Sequence, residues 1–192
     1  MPPLALTWLT LSLALVALLM PAHTLAATET EFRLTMRAQA TDNLYYTDQQ
    51  TQSASGLIIK PSVQVLRQTR GLQSALNLGG TFAAFNLGND DNYTDGVLQG
   101  RFAYARGRSQ YNFVSTLMLG HDPFGSARTE GQASFTAELD RWRDLGVEAG
   151  WTRGFDGRGL IASSLTISGV QRRYISNRSA TRFIDNDRVS IN

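Results

Sequence analysis

Residues 32–42 read FRLTMRAQATD. Phe32, Leu34, Met36, Ala38 and Ala40 alternate without a break with Arg33, Thr35, Arg37 and Gln39. As an extended strand this stretch has one apolar face and one cationic, hydrogen-bonding face. Two folds accept such a strand. In a soluble sandwich the apolar side turns to a core and the polar side to water, whereas in an outer-membrane barrel the apolar side meets lipid and the polar side lines the interior.

The pattern recurs downstream. Residues 56–67 set Leu57, Ile59, Pro61, Val63 and Val65 against Ile58, Lys60, Ser62 and Gln64. Pro61 has no amide hydrogen to give a ladder, so an edge, a bulge or an irregularity is expected there. Further alternating segments cover 72–85, 96–106, 110–120, 132–141, 145–153 and 160–171, with a weaker ninth at about 181–191. No amphipathic helical window follows residue 26. Between the strands, long polar segments begin at Thr41, Asn86, His121 and Gly154. Short turns fall at 68–71, 107–109 and Trp142-Arg143-Asp144.

Strands of about ten residues at about 3.3 Å each, tilted near 45°, climb roughly 24 Å, the height of a lipid-facing band. Tyr45, Tyr46, Tyr104, Tyr111, Trp142 and Trp151 lie near strand ends, where interfacial aromatics gather. The fold expected is therefore all-β, an antiparallel up-and-down transmembrane barrel of eight or more strands after a signal peptide. With the N-terminus in the periplasm, the four long connections face outward and the three short turns face the periplasm. A ninth strand would make the count odd, and Asn192 is not an aromatic terminal residue. The chain then reads either as part of a larger barrel or as one whose last segment does not span.

The first 26 residues are a different material. Leu4 to Met20 is almost wholly apolar, and small residues ending at Ala26 suit signal peptidase, although no Lys or Arg precedes the apolar run. This divides the chain into a leader, 1–26, and a barrel, 27–192, in the outer membrane of a Gram-negative cell. There is no cysteine, hence no disulfide framework and no thiolate metal site. The 18 basic residues are Arg apart from Lys60, against 16 acidic ones. They are scattered at strand-like intervals, which argues against nucleic acid as a partner.

Ala40-Thr41-Asp42-Asn43-Leu44-Tyr45, Ile59-Lys60-Pro61-Ser62-Val63 and His121-Asp122-Pro123-Phe124-Gly125 resemble the β-barrel porin family encoded beside exopolysaccharide and capsule genes. The chain departs from that pattern at Phe124, where an Arg is more usual, and in its length, which resembles the first half of such a barrel. The resemblance implies an outer-membrane component serving polysaccharide export. Its implied partners are membrane lipid, the barrel-assembly machinery, anionic polysaccharide and export proteins.

Chemistry beyond transport has little to stand on. His121 is the one histidine after the leader, and no serine is placed by spacing to pair with it. Glu138 and Asp140 share a predicted strand face at a separation compatible with paired-carboxylate work, but salt bridges to Arg33, Arg37 or Arg101 inside a barrel explain them better. Asp90, Asp91, Asn92 and Asp95 lack the ligand order of a calcium loop. No enzyme activity, metal or cofactor is expected. What remains is Arg33, Arg37, Lys60 and Arg101 on the predicted inner face, a cationic wall that favours anionic solutes. The alternative is a non-conducting structural or assembly barrel, its interior filled by internal ion pairs and its loops binding a partner.

Overall fold

The computed structural model describes residues 27–44, 52–87, 92–122, 139–154, 163–176 and 181–192. They form one eight-stranded antiparallel sheet in which each strand pairs with its neighbour in sequence. The strands are β1 (Ala27–Thr41), β2 (Ala54–Thr69), β3 (Leu72–Phe85), β4 (Tyr93–Arg106), β5 (Ser109–His121), β6 (Arg141–Arg153), β7 (Ser163–Tyr174) and β8 (Asn186–Ile191). A 3-10 turn at Arg182–Ile184 precedes β8. The sheet is open, with β1 and β8 at its two edges. This is the all-β, up-and-down architecture expected of an incomplete barrel.

Several boundaries differ from the sequence reading. Trp142-Arg143-Asp144, expected to turn, lies inside β6, which pairs with β5 from His121 opposite Arg141 to Ser109 opposite Arg153. A tryptophan and an arginine are good strand residues, and cross-strand pairing overrides the weak turn signal of a single Asp. Of the strand expected at 132–141, residues 132–138 lie outside the described residues, Leu139 and Asp140 are not in a strand, and Arg141 opens β6. One consequence is a change of end for the connection starting at Gly154. Its amide donates to the Arg108 carbonyl at 2.8 Å, beside the tight turns and not at the outward end predicted for it. The long strands, 13 to 16 residues from β1 to β6, also exceed the ten expected.

Pro61 does produce the irregularity its chemistry requires. The β1 ladder runs past it, with Leu34 opposite, but the β3 ladder skips Lys60 and Pro61 and resumes at Ser62 opposite Gly79 in unchanged register.

Register places one side chain type on each face. Phe32, Val63, Leu78, Leu98, Leu117 and Leu145 stand in a single line across six strands. Among the described residues no second layer lies on this face: Phe32 is 79% exposed, Leu34 63%, Met36 59% and Leu78 51%, while Val63, Leu98, Leu117 and Leu145 are half-buried. The large exposed apolar side chains of the strands lie on this face, with Leu66, Met118 and Val170 as exceptions.

Among the described residues the buried apolar side chains are Leu44, Ala54, Ile58, Ala83, Leu139 and Tyr174, all toward the end carrying the long connections after β1, β3 and β5. There Tyr174 donates its hydroxyl to Asp122 at 3.1 Å, and its amide donates to Asp185 at 2.9 Å. Ser176 donates to the Leu139 carbonyl at 2.6 Å, and Thr181 to the Ser176 carbonyl at 3.0 Å. These bonds tie the β5–β6 and β7–β8 connections together.

The upper edge of the apolar band slants across the register, and its lower edge steps down from β1 to β3 before keeping to one line. On β1 it ends at Phe32, whose line meets Leu145 on β6, yet on β6 the band continues down to Trp151. Its upper edge moves the same way, from Leu57 on β2, six residues above the Val63 line, to Leu145 itself on β6, where Arg143 follows. For the upper edge, a drift of about 1.5 residues per strand, at about 3.3 Å per residue and 4.8 Å between strands, corresponds to a strand tilt of about 45° if that edge is level.

At the tight turns, Gly71 has φ 83° and Gly107 φ 58°, backbone conformations that side chains disfavour. A Cβ on Gly71 would also sit 2.9 Å from the Ala105 carbonyl oxygen, whereas one on Gly107 meets nothing within 4 Å. Gly71→Ala is expected to lower stability by about 2 kcal/mol and Gly107→Ala by about 1 kcal/mol, read as shifts in the urea unfolding midpoint. Equal shifts would mean that the Ala105 contact is not maintained.

Candidate functional site

The polar face carries the chemistry. Arg33, Arg37, Lys60 and Arg101 all fall on it, as the alternation requires, but register does not gather the four into one wall. Lys60 pairs with Thr35, so it is diagonal to both Arg33 and Arg37, with Cβ separations of about 7–8 Å. Arg101 stands apart, in the line of Ala75 and Leu66. The face also carries Arg172 and Arg188, and among acids Glu29, Glu31, Asp95, Asp144 and Glu148.

Two arginines on this face are paired with carboxylates. Arg33 meets Glu31 at 2.7 Å, an exposed pair two residues apart on β1, of a kind that contributes little. Arg172 grips Asp144 with two bonds of 2.7 and 2.6 Å while its guanidinium lies 4.2 Å from the centre of the Trp142 ring. Planar guanidinium suits both contacts at once. Arg37 instead donates to Gln39 at 2.6 Å and Arg101 to Gln99 at 3.0 Å. Among the described residues, neither these two nor Lys60 forms an ion pair.

Asp140 is not the strand-borne partner expected for these cations: it lies before β6 and is 9% exposed, while Glu138 falls outside the described residues. The same holds for Asp90 and Asp91, and no group of metal-ligating side chains occurs among the described residues.

The sequence reading placed both Asp95 and His121 in loops. Here Asp95 belongs to β4 and His121 is the last residue of β5, with Nδ1 2.8 Å from the Asp95 carboxylate. The Tyr93 ring packs on the imidazole at 4.0 Å between centroids. Beside this cluster runs a groove of about 370 Å³ lined by Thr35, Lys60, Ser62, Asp95, His121 and Trp142. It is open because glycines leave room for it. A Cβ on Gly120 would meet the Trp142 ring at 2.6 Å, so glycine there is what lets the indole lie against the sheet. A lone histidine and a polar segment ending in Asp95 gave no periodic signal by which the pair could have been found.

On the other face, Leu72, Tyr104, Tyr111, Trp151 and Leu165 share one line at the lower edge of the apolar band. The Tyr104 and Tyr111 rings stack at 6.4 Å. Charged residues on that face flank the band and none interrupts it: Arg67, Arg106 and Arg153 lie below, and Arg141, Arg143, Arg173 and Asp187 above. Trp142, expected among these interfacial aromatics, is on the polar face, and Tyr45 and Tyr46 lie outside the described residues.

No protein-family model, no curated protein and no solved structure matches this chain.

Gly120→Ala is expected to push Trp142 off the sheet and loosen the Arg172–Asp144 grip, at a cost of about 1–3 kcal/mol. The measurement is the unfolding midpoint together with tryptophan emission, which should move to longer wavelength. Unchanged emission and stability would show that the indole does not lie on Gly120.

Proposed function

We propose that the chain is a lipid-facing outer-membrane barrel protein whose polar face lines an interior that passes anionic solutes. The observation that carries this reading is the apolar band, uncovered among the described residues, free of charge, rimmed by arginines and aromatics, and with an upper edge slanted against the register. A level band on strands tilted by about 40–45° is what a bilayer imposes on a barrel. A soluble sandwich would cover that face with a second sheet. Within the hydrocarbon layer every backbone amide and carbonyl must be paired. On this reading the free ladders of β1 and β8 are therefore closed when the protein is in the membrane.

The solute class follows from the polar face, where Arg37, Lys60 and Arg101 have no described carboxylate partner and focus a positive potential. The motifs that resemble the porins of exopolysaccharide and capsule clusters extend this to export of an anionic polysaccharide. The competing reading is a non-conducting barrel, and the Arg172–Asp144 and Arg33–Glu31 pairs favour it locally, since they neutralise part of the interior. No catalytic role is assigned.

Two substitutions of equal chemistry on neighbouring residues separate the membrane from the aqueous setting. Leu78→Arg puts a charge in the centre of the band and is expected to cost about 2–4 kcal/mol of membrane stability, lowering the amount recovered in outer-membrane fractions. Asn77→Arg, on the polar face, should leave recovery near wild type. If both variants behave alike, the apolar face does not meet lipid. In planar bilayers, Lys60→Glu with Arg37→Glu should shift reversal potentials toward cations under a salt gradient. Absence of any wild-type conductance would retire the pore in favour of the structural barrel.

A further inference from the structure

The groove on the polar face follows a single register line. Continuing the flanking pairs, the line runs from Thr35 on β1 through Lys60, Thr81, Asp95 and Gly120 to Trp142 on β6, and all of these residues border the groove. Its charges are separated along that line. Lys60 lies at the β1–β2 end with Arg37 diagonal to it, and Asp95 lies two strand spacings away, about 10 Å across the sheet. The Asp95 carboxylate is 28% exposed and meets His121 Nδ1 through one oxygen. Among the described residues its other oxygen makes no hydrogen bond, nor do the Lys60 ammonium and the hydroxyls of Thr35, Ser62 and Thr81. Gly79 and Gly120 put no side chain into the space. At the far end Trp142, lying on Gly120 with the Arg172 guanidinium 4.2 Å from its ring centre, forms a fixed wall.

From this we infer that the groove is a binding site for a carboxylated sugar residue, with Lys60 taking the carboxylate and Asp95 accepting from ring hydroxyls. The inference deepens the proposed anionic-solute reading, on which the place of the groove inside a barrel rests. The donor and acceptor inventory carries it. An ammonium only donates and an ionised carboxylate only accepts, so the occupant must offer a negative acceptor at one end and donors at the other. A bare inorganic anion satisfies Lys60 but meets the negative charge of Asp95. A neutral sugar satisfies Asp95 and leaves Lys60 without a counter-charge. A polyol bearing one carboxylate satisfies both, and its other hydroxyls match Thr35, Ser62 and Thr81, which donate or accept as required. Size agrees, since about 370 Å³ is at the small end of ligand clefts, and the spacing of about 10 Å accommodates one pyranose ring with its carboxylate.

The test uses the full chain folded in detergent micelles, with three probes: methyl glucuronoside, the neutral methyl glucoside, and sulfate, which has charge and no hydroxyl. Binding is read by titration calorimetry and ligand-observed NMR. Wild type should bind the glucuronoside about tenfold more tightly than either other probe, the scale of a hydrogen bond to a charged group. Lys60→Gln should lose about tenfold for the glucuronoside and bring it level with the glucoside, whereas Lys60→Arg keeps the charge and should keep most of the affinity, which controls for folding. Asp95→Asn should weaken both sugars while strengthening sulfate, a crossover that a merely structural role would not produce. Arg188→Gln removes one charge from the same face on β8, outside the groove, and should change glucuronoside affinity by less than about threefold because of screening. Equal losses in Lys60→Gln and Arg188→Gln, or sulfate bound as tightly as the glucuronoside by wild type, would overturn the sugar site. So would the absence of saturable glucuronoside binding in a chain that conducts anions, which leaves the anionic-solute reading intact. Glucuronoside binding with the Lys60 and Asp95 signatures in a chain that gives no conductance would support the groove and retire the pore.

Discussion

A single-layer sheet cannot make a hydrophobic core of its own, and everything else in this protein follows from that constraint. Apolar side chains must be removed from water to stabilise a fold, yet among the described residues no second layer packs on the apolar face, where Phe32, Leu34, Met36 and Leu78 stand exposed. Among the described residues the small set of buried side chains is confined to the loop end, where Tyr174, Asp122, Ser176 and Thr181 tie the connections together. The rest of the sheet keeps its long ladders while presenting one side to a medium that solvates leucine and the other to one that solvates arginine. On the reading proposed above, a bilayer around a water-filled interior would supply both.

The polar face distributes its charged side chains unevenly along the sheet. Alternation commits every second residue of β1 to that side, and Arg33, Thr35 and Arg37 come with it. Lys60 is brought beside them by the Thr35 pairing, across a ladder that Pro61 weakens on its other side. Farther round, the Arg172, Asp144 and Trp142 contacts form a rigid, self-neutralised patch seated on Gly120. The face is therefore uneven: positive potential is left on the β1–β4 side and cancelled on the β6–β7 side.

The sheet, its neighbour-to-neighbour topology and the two-sided strands were legible because period-two alternation is a strong local signal, clearest at residues 32–40 and 56–65. The placement of Arg33, Arg37, Lys60 and Arg101 on the polar face was legible for the same reason. What failed was anything decided by pairing across distance. Trp142-Arg143-Asp144 reads as a turn by itself and becomes strand only because β5 extends far enough to pair with it. The error carried forward, sending the Gly154 connection to the wrong end. Asp95 and His121 meet because β4 starts three residues earlier than its alternation suggests, and nothing local to either residue announces the other. The slant of the band's upper edge is likewise a property of register, invisible until the strands are aligned.

The absence of native cysteine makes the central claim directly measurable by single cysteine substitutions along β3, residues 72 to 85, labelled with a nitroxide in membranes. Accessibility to oxygen, which concentrates in hydrocarbon, should peak at 76, 78 and 82, and accessibility to a water-soluble nickel reagent should peak at 73, 77 and 81, a strict two-residue alternation. High nickel accessibility at both sets of positions would mean that the apolar face stands in water and that the membrane account of this sheet is wrong.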